Sequence, residues 1–159
     1  DISQDGHEVA FLTNLRTLNY STNFDRAEPI IDSLNVSFEM LFVAINDNFA
    51  MVATTAGDIL KITLNIGRMK YKKVADVSGI MDMDYIGQYL YVLTDDELLK
   101  IEGKKVRERI AIKGGSRLLG NIMADGSVYI YNVNGTISRV AIPSPLPPAP
   151  ASVPGPNGK

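Results

Sequence analysis

The chain contains no cysteine and only one histidine, His7. These absences remove disulfide scaffolds, cysteine nucleophiles, thiolate zinc sites and any metal site that needs two imidazoles. Charge of one sign is also missing: sixteen basic against eighteen acidic residues leave a formal net charge of −2. There is thus no strong nucleic-acid signal, since a surface neutralising many phosphates needs a basic excess; a polyanion site would have to be local. No apolar run approaches the roughly 20 residues of a membrane-crossing helix, and the best of them, Met40 to Ile45, is far shorter. The chain is therefore not expected to span a membrane. Proline is scarce in the body of the chain, because seven of the eight fall between Pro143 and Pro156.

What is present suits one folded domain. The 159 residues are 45 % hydrophobic and 21 % charged, enough to build and solubilise a core. The chain opens on Asp1-Ile2-Ser3 and ends in the proline run, so a processed product or an excised fragment is expected. Three Asn-x-Ser/Thr triplets, at Asn19, Asn35 and Asn134, argue for secretion. Asn, Ser and Thr also gather in turns for conformational reasons, and the balance favours an intracellular chain. Residues 143–159 cannot donate ladder hydrogen bonds and favour extended polyproline II. Two Pro-x-x-Pro spacings, Pro145 to Pro148 and Pro147 to Pro150, fit a docking peptide, but no basic residue lies near them and a linker is the preferred reading.

Between Leu41 and Ile142 the pattern is short β-branched and aromatic runs broken by Asn, Asp and Gly, which reads as strands joined by tight turns. A shift of 39 residues superposes three segments without gaps and brings Lys61, Lys100 and Arg139 together. Apolar residues coincide on either side: Ile59, Leu98 and Ile137, then Ile62, Ile101 and Val140, with Met51, Leu90 and Tyr129 upstream. Turn residues recur at Thr55-Ala56-Gly57, Asp95-Asp96 and Asn134-Gly135. The repeats span about 41–79, 80–117 and 118–142. The first strands are placed at Leu41 to Ile45, Ile80 to Asp84 and Leu118 to Met123, and the third copy lacks a fourth strand.

Four strands in about 40 residues, joined as up-and-down hairpins, is the arithmetic of a propeller blade. On these residues the chain resembles the β-propeller superfamily, in the loose sense that covers WD40-like and quinoprotein-like blades. There is no tryptophan and hence no Trp-Asp dipeptide, so no family motif is matched. The expected fold class is all-β: a propeller or partial propeller of four-stranded antiparallel blades. Residues 1–40 read as a divergent segment or partial blade, with Val9 to Thr13 paired to Thr17 to Tyr20 and Glu28 to Asp32 passing over as a link. The resemblance implies a radial scaffold that binds other molecules. Either four small blades close alone, or a larger ring is completed by another segment or subunit; the missing strand favours the second.

Candidate sites are few. Asp82 and Asp84 stand at i and i+2 on a strand and could hold a divalent cation, which would support a propeller-type hydrolase or lyase. Asp95-Asp96-Glu97 lies in a turn and lacks the oxygens of a calcium loop, while Gly114-Gly115-Ser116 lacks the lysine and helix of a phosphate loop. Basic residues gather at Arg68, Lys70, Lys72 and Lys73 and again at Lys104, Lys105, Arg107 and Arg109. At the repeat shift Arg68 meets Arg107 and Lys70 meets Arg109, which predicts a positive stripe for an acidic protein tail, anionic lipid headgroups or a phosphate backbone. The bland alternative is lysine guarding sheet edges. Strand tyrosines are expected to pack between blades. The leading expectation is a non-catalytic protein-interaction scaffold without a cofactor, part of a larger polypeptide or a multi-subunit assembly.

Overall fold

The computed structural model describes residues 1–2, 6–23, 28–46, 48–119 and 127–141. Among the described residues there is no helix, and hence no helix long and apolar enough to cross a membrane. The first sheet holds β1 (Glu8–Asn14), β2 (Thr17–Thr22) and β3 (Ile30–Asn35). The second holds β4 (Met40–Asn46), β5 (Phe49–Thr54), β6 (Asp58–Thr63) and β7 (Lys70–Asp76). The third follows with β8 (Ile80–Ile86), β9 (Tyr89–Thr94), β10 (Glu97–Glu102) and β11 (Lys105–Ala111), and the fourth with β12 (Gly115–Leu118), β13 (Ser127–Asn132) and β14 (Ile137–Ala141). Each sheet is an antiparallel meander in chain order, as short hairpin connections require. Asp1 and Ile2 add an innermost rung beside β1 through the Ile2–Val9 bridge and two hydrogen bonds between Asp1 and Ala10.

Strand alternation gives every sheet two apolar faces, and the sheets stack to bury them. Ala10, Leu18 and Tyr20 of the first sheet pack against Ala50, Val52 and Ile62 of the second. Met51, Ala53 and Ile59 on the far side of the second meet Leu90, Val92, Leu99 and Ile101 of the third. Tyr91, Leu93 and Leu98 then meet Leu118, Val128 and Ile130 of the fourth. Each fully buried aliphatic side chain here is worth about 1.5–3 kcal/mol. Two glycines allow close approach. A Cβ on Gly115 would sit 2.9 Å from Leu93 Cδ1, and one on Gly57, at φ +87°, would sit 2.7 Å from the Val77 carbonyl oxygen. Three such cores join four sheets, and among the described residues no core cluster joins the fourth sheet back to the first.

The register corrects the 39-residue superposition. Met51 pairs with Lys61 and Tyr91 with Lys100, so Met51 corresponds to Tyr91 and not to Leu90. The second strands are offset by 40 residues (Phe49 to Tyr89) and the third strands by 39 (Asp58 to Glu97). The cause is the turn between them, Thr55-Ala56-Gly57 in one sheet and the shorter Asp95-Asp96 in the next. A one-residue slip moves a side chain to the other face of the sheet, and Met51 and Leu90 do lie on facing surfaces of neighbouring sheets. The innermost strands shift likewise: Met40, Ile80 and Gly115 are the equivalent residues, paired with Thr54, Thr94 and Asn132. The fourth sheet thus begins at Gly115 and not at Leu118, and most of the expected strand to Met123 lies outside the described residues. Near the N-terminus, Ile30–Asn35 pairs along all of β2 as an outer strand, where a linking pass was expected. The proline-rich segment 143–159 also lies outside the described residues.

Candidate functional site

At one shared register position, held by Tyr20 on β2, Lys61 on β6, Lys100 on β10 and Arg139 on β14, the side chain reaches the first residue of the strand beside it. Tyr20 donates its hydroxyl to Glu8 Oε1 at 2.6 Å. Lys61 Nζ stands 3.4 Å from the centroid of the Phe49 ring, and Lys100 Nζ 4.1 Å from that of Tyr89. Arg139 Nε donates to Ser127 Oγ at 3.0 Å. Lys61, Lys100 and Arg139 therefore hold one register position, as the superposition of the third strands anticipates, though Lys100 is buried, Lys61 half-buried and Arg139 exposed. The ammonium groups lie over aromatic faces, a favourable arrangement of about 0.5–2 kcal/mol.

The two lysines differ in what stands opposite them. Lys100 pairs with Glu108 across β10 and β11, whereas Lys61 pairs with Lys72 across β6 and β7. A groove of about 310 Å³ opens beside the second pair, between the second and third sheets. Lys61, Lys72 and Lys104 line it together with Phe49, Met51, Val74, Tyr85, Leu90 and Ile101, and no carboxylate is among the lining residues. Phe49 and Tyr85 meet edge to face there, with centroids 5.9 Å apart. Burial, and after it the charge of Lys72, holds the Lys61 ammonium below the usual lysine range. None of these three lysines forms an ion pair among the described residues.

The predicted basic stripe is divided by the same register. Lys73 and Arg109, not Lys70 and Arg109, are equivalent, since they pair with Leu60 and Leu99. Arg68 lies in the connection before β7, which runs Leu64–Met69, while the third sheet uses only Gly103-Lys104 there. That length difference puts the outer strands out of phase, and the match of Arg68 to Arg107 fails with it. Arg107 is held by Glu102 at 2.6 Å, Arg109 by Glu97, and Lys73 by Asp58 at 2.7 Å and by Asp76. Lys70 and Lys105 open β7 and β11 at matching positions outside the groove. Of the predicted residues, only Lys72 and Lys104 converge; Lys61, not foreseen as a site residue, joins them. Its signal in the sequence was a charge inside Ile59-Leu60-Lys61-Ile62, a run otherwise destined for the interior.

Asp82 and Asp84 lie on β8, opposite Leu93 and Tyr91. Asp82 Oδ1 accepts the Met83 amide at 2.9 Å and Oδ2 accepts the Leu118 amide of β12 at 2.8 Å, so this carboxylate ties two innermost strands together. Asp1 Oδ2 makes a similar tie to the Ile45 amide at 2.8 Å. Burial pushes both the Asp82 and the Asp84 carboxyls above the ordinary carboxylate range. Among the described residues no three His, Cys, Asp or Glu side chains are grouped to hold a metal ion. Asp96 closes its own turn by accepting the Thr94 hydroxyl, and Ser116 bonds to the Tyr131 carbonyl. Tyr20 and Tyr91 pack between sheets as expected, and burial pushes the Tyr91 hydroxyl up to about 12. Tyr71 and Tyr131 do not; both are exposed. The Asn19 amide is buried and bonded to Thr13 and Ser33, which leaves no room for a glycan in the folded chain, while Asn35 and Asn134 are exposed.

The stacked meanders are β-propeller blades. No family model matches the chain and no curated protein matches it. Solved structures do. BamB from Moraxella catarrhalis superposes with a TM-score of 0.59 at 14 % identity, over 84 % of this chain and 40 % of that one. The computationally designed Ika4 protein gives 0.61 at 11 % identity, over 89 % of each chain. Hsv2 from Kluyvelomyces marxianus gives 0.52 at 12 % identity, over 87 % of this chain and 48 % of that one. At these identities the likeness is one of fold. The chain spans less than half of BamB and of Hsv2 and most of Ika4.

Proposed function

We propose that the chain is a non-catalytic interaction scaffold whose four blades form an arc of a ring that a further blade extends. The observation that carries this reading is the outward face of the fourth blade. Leu18, Ile59 and Leu98 occupy one equivalent position and are fully buried under the following blade. Ile137 holds that position in the fourth blade and is 62 % exposed. Tyr131, equivalent to the fully buried Ala53 and Leu93, is 41 % exposed, and Val133 in the adjoining turn is 72 % exposed. A blade face with uncovered aliphatic and aromatic side chains marks an interaction surface, and the occupant that complements it is a sheet whose near face is aliphatic, as Val128 and Ile130 are toward the third blade.

Sedimentation of the chain over a range of concentrations tests this. Association that grows with concentration and is abolished by Ile137→Asp, with the melting midpoint retained, is the expected result. A monomer whose size and solubility are the same with and without the substitution overturns it.

A further inference from the structure

We infer that the groove between the second and third blades is a receptor for an acidic peptide segment, one that carries a carboxylate beside an apolar residue. The inference stands apart from the fourth-blade reading, because it uses a different pair of blades and neither outcome there bears on it.

The repeat itself supplies the comparison. In the third blade the repeat-equivalent lysine, Lys100, faces Glu108 and the pair is neutral; in the second, Lys61 faces Lys72. Directly opposed like charges on neighbouring strands are unfavourable, and Lys104 from the next blade brings a third positive charge to the same groove. Arg16, Lys73, Arg107 and Arg109 all have carboxylate partners; among the described residues the three groove lysines have none. An anion entering from outside removes the repulsion that the fold leaves in place. Lys61 is partly withdrawn from water, so a carboxylate there is screened less than at an open surface.

Shape and lining select the kind of anion. The floor and walls are Phe49, Met51, Val74, Leu90 and Ile101. A bare inorganic ion leaves these wet, while the methylenes of a glutamate side chain and an adjoining apolar side chain cover them. The positive charge is also confined. In the next interblade position Glu108 stands where Lys72 would be, so an extended phosphate backbone running across blades meets a carboxylate after one groove. A compact acidic segment does not.

The test follows the amide signals of Gln88, Gly103 and Lys104 and the methyl signals of Met51 and Val74 of the full chain by NMR. The probe is a six-residue blocked peptide alternating glutamate and leucine; the controls are its glutamine counterpart, inorganic phosphate and a short single-stranded oligonucleotide. Saturable shifts confined to the groove are expected with the acidic peptide, binding at least tenfold tighter than the glutamine peptide. Lys72→Glu, which installs the charge pair of the third blade at an exposed position, should weaken binding at least tenfold while the melting midpoint holds or rises. Lys61→Met should weaken it as well. Absence of saturable shifts, equal binding by the glutamine peptide, or full binding by Lys72→Glu overturns the inference. Tighter binding of phosphate or of the oligonucleotide at these residues overturns the assignment to a peptide.

Discussion

Leu98 in the third blade and Ile137 in the fourth occupy the same point of the repeat, yet Leu98 is fully buried and Ile137 is largely exposed. Their local structure is alike: both pair with the hairpin partner before them, Leu98 with Leu93 and Ile137 with Tyr131. The difference comes from what surrounds them: Leu98 is flanked by Ile110 of β11 and covered by the fourth blade, while β14 is the last strand of its sheet among the described residues and no described blade is stacked on it. A blade therefore has a core only when it has a neighbour, which is the energetic signature of a repeat architecture.

The strongest way to break this comparison is to truncate both residues. Leu98→Ala should cost about 2–5 kcal/mol, as buried Leu truncations do, while Ile137→Ala should stay within about 0.5 kcal/mol. Denaturant midpoints of the two variants measure the gap, and equal losses would show that Ile137 is covered in solution. A smaller effect is expected from the tie between the innermost strands. Asp82→Ala leaves the Leu118 amide of the next blade without its acceptor and should cost about 1–3 kcal/mol, seen as faster amide exchange in β12.

Charge sharpens the same comparison at lower amplitude. Glu108→Lys gives the third blade the like-charge pair of the second, and should lower stability by about 0.2–1 kcal/mol. Added salt should shrink that loss; a loss that ignores salt would mean that the pair is not felt electrostatically. The pH dependence concerns Asp84. Burial raises its carboxyl in the folded state, with the charge of Asp82 acting in the same direction and the Tyr85 amide opposing. A raised carboxyl penalises the folded state above its own pKa, and the penalty disappears as pH falls below the unfolded value. Asp84→Asn should therefore raise the melting midpoint at pH 7, and the gain should fade below about pH 4.

Much of the fold was legible because it is written locally. Alternation such as Tyr89-Leu90-Tyr91-Val92-Leu93 and turns such as Asn134-Gly135 specify strands and hairpins within a few residues of one another. The interblade cores followed from the recurrence of Ile59, Leu98 and Ile137. The site was less legible. The stripe joining Lys70 to Arg109 assumed equal spacing between third and fourth strands, and the longer Leu64–Met69 connection defeats it. Lys61 was visible as a marker of the repeat, but nothing near it in the chain announces that Lys72 and Lys104 will face it.

By itself the sequence determined which stretches are strands, how many form a meander and which faces are apolar, since these depend on side-chain alternation and turn chemistry over a few residues. The tertiary structure alone decided register, and register decided which side chains share the groove. The Leu64–Met69 connection sets Lys61 against Lys72, and a bulge between Lys100 and Ile101 sets Lys100 against Glu108 and not Arg107. Because side chains in a strand alternate with a period of two, a single residue more in a connection or at a bulge chooses which of them meet. That choice rests on contacts far apart in the chain.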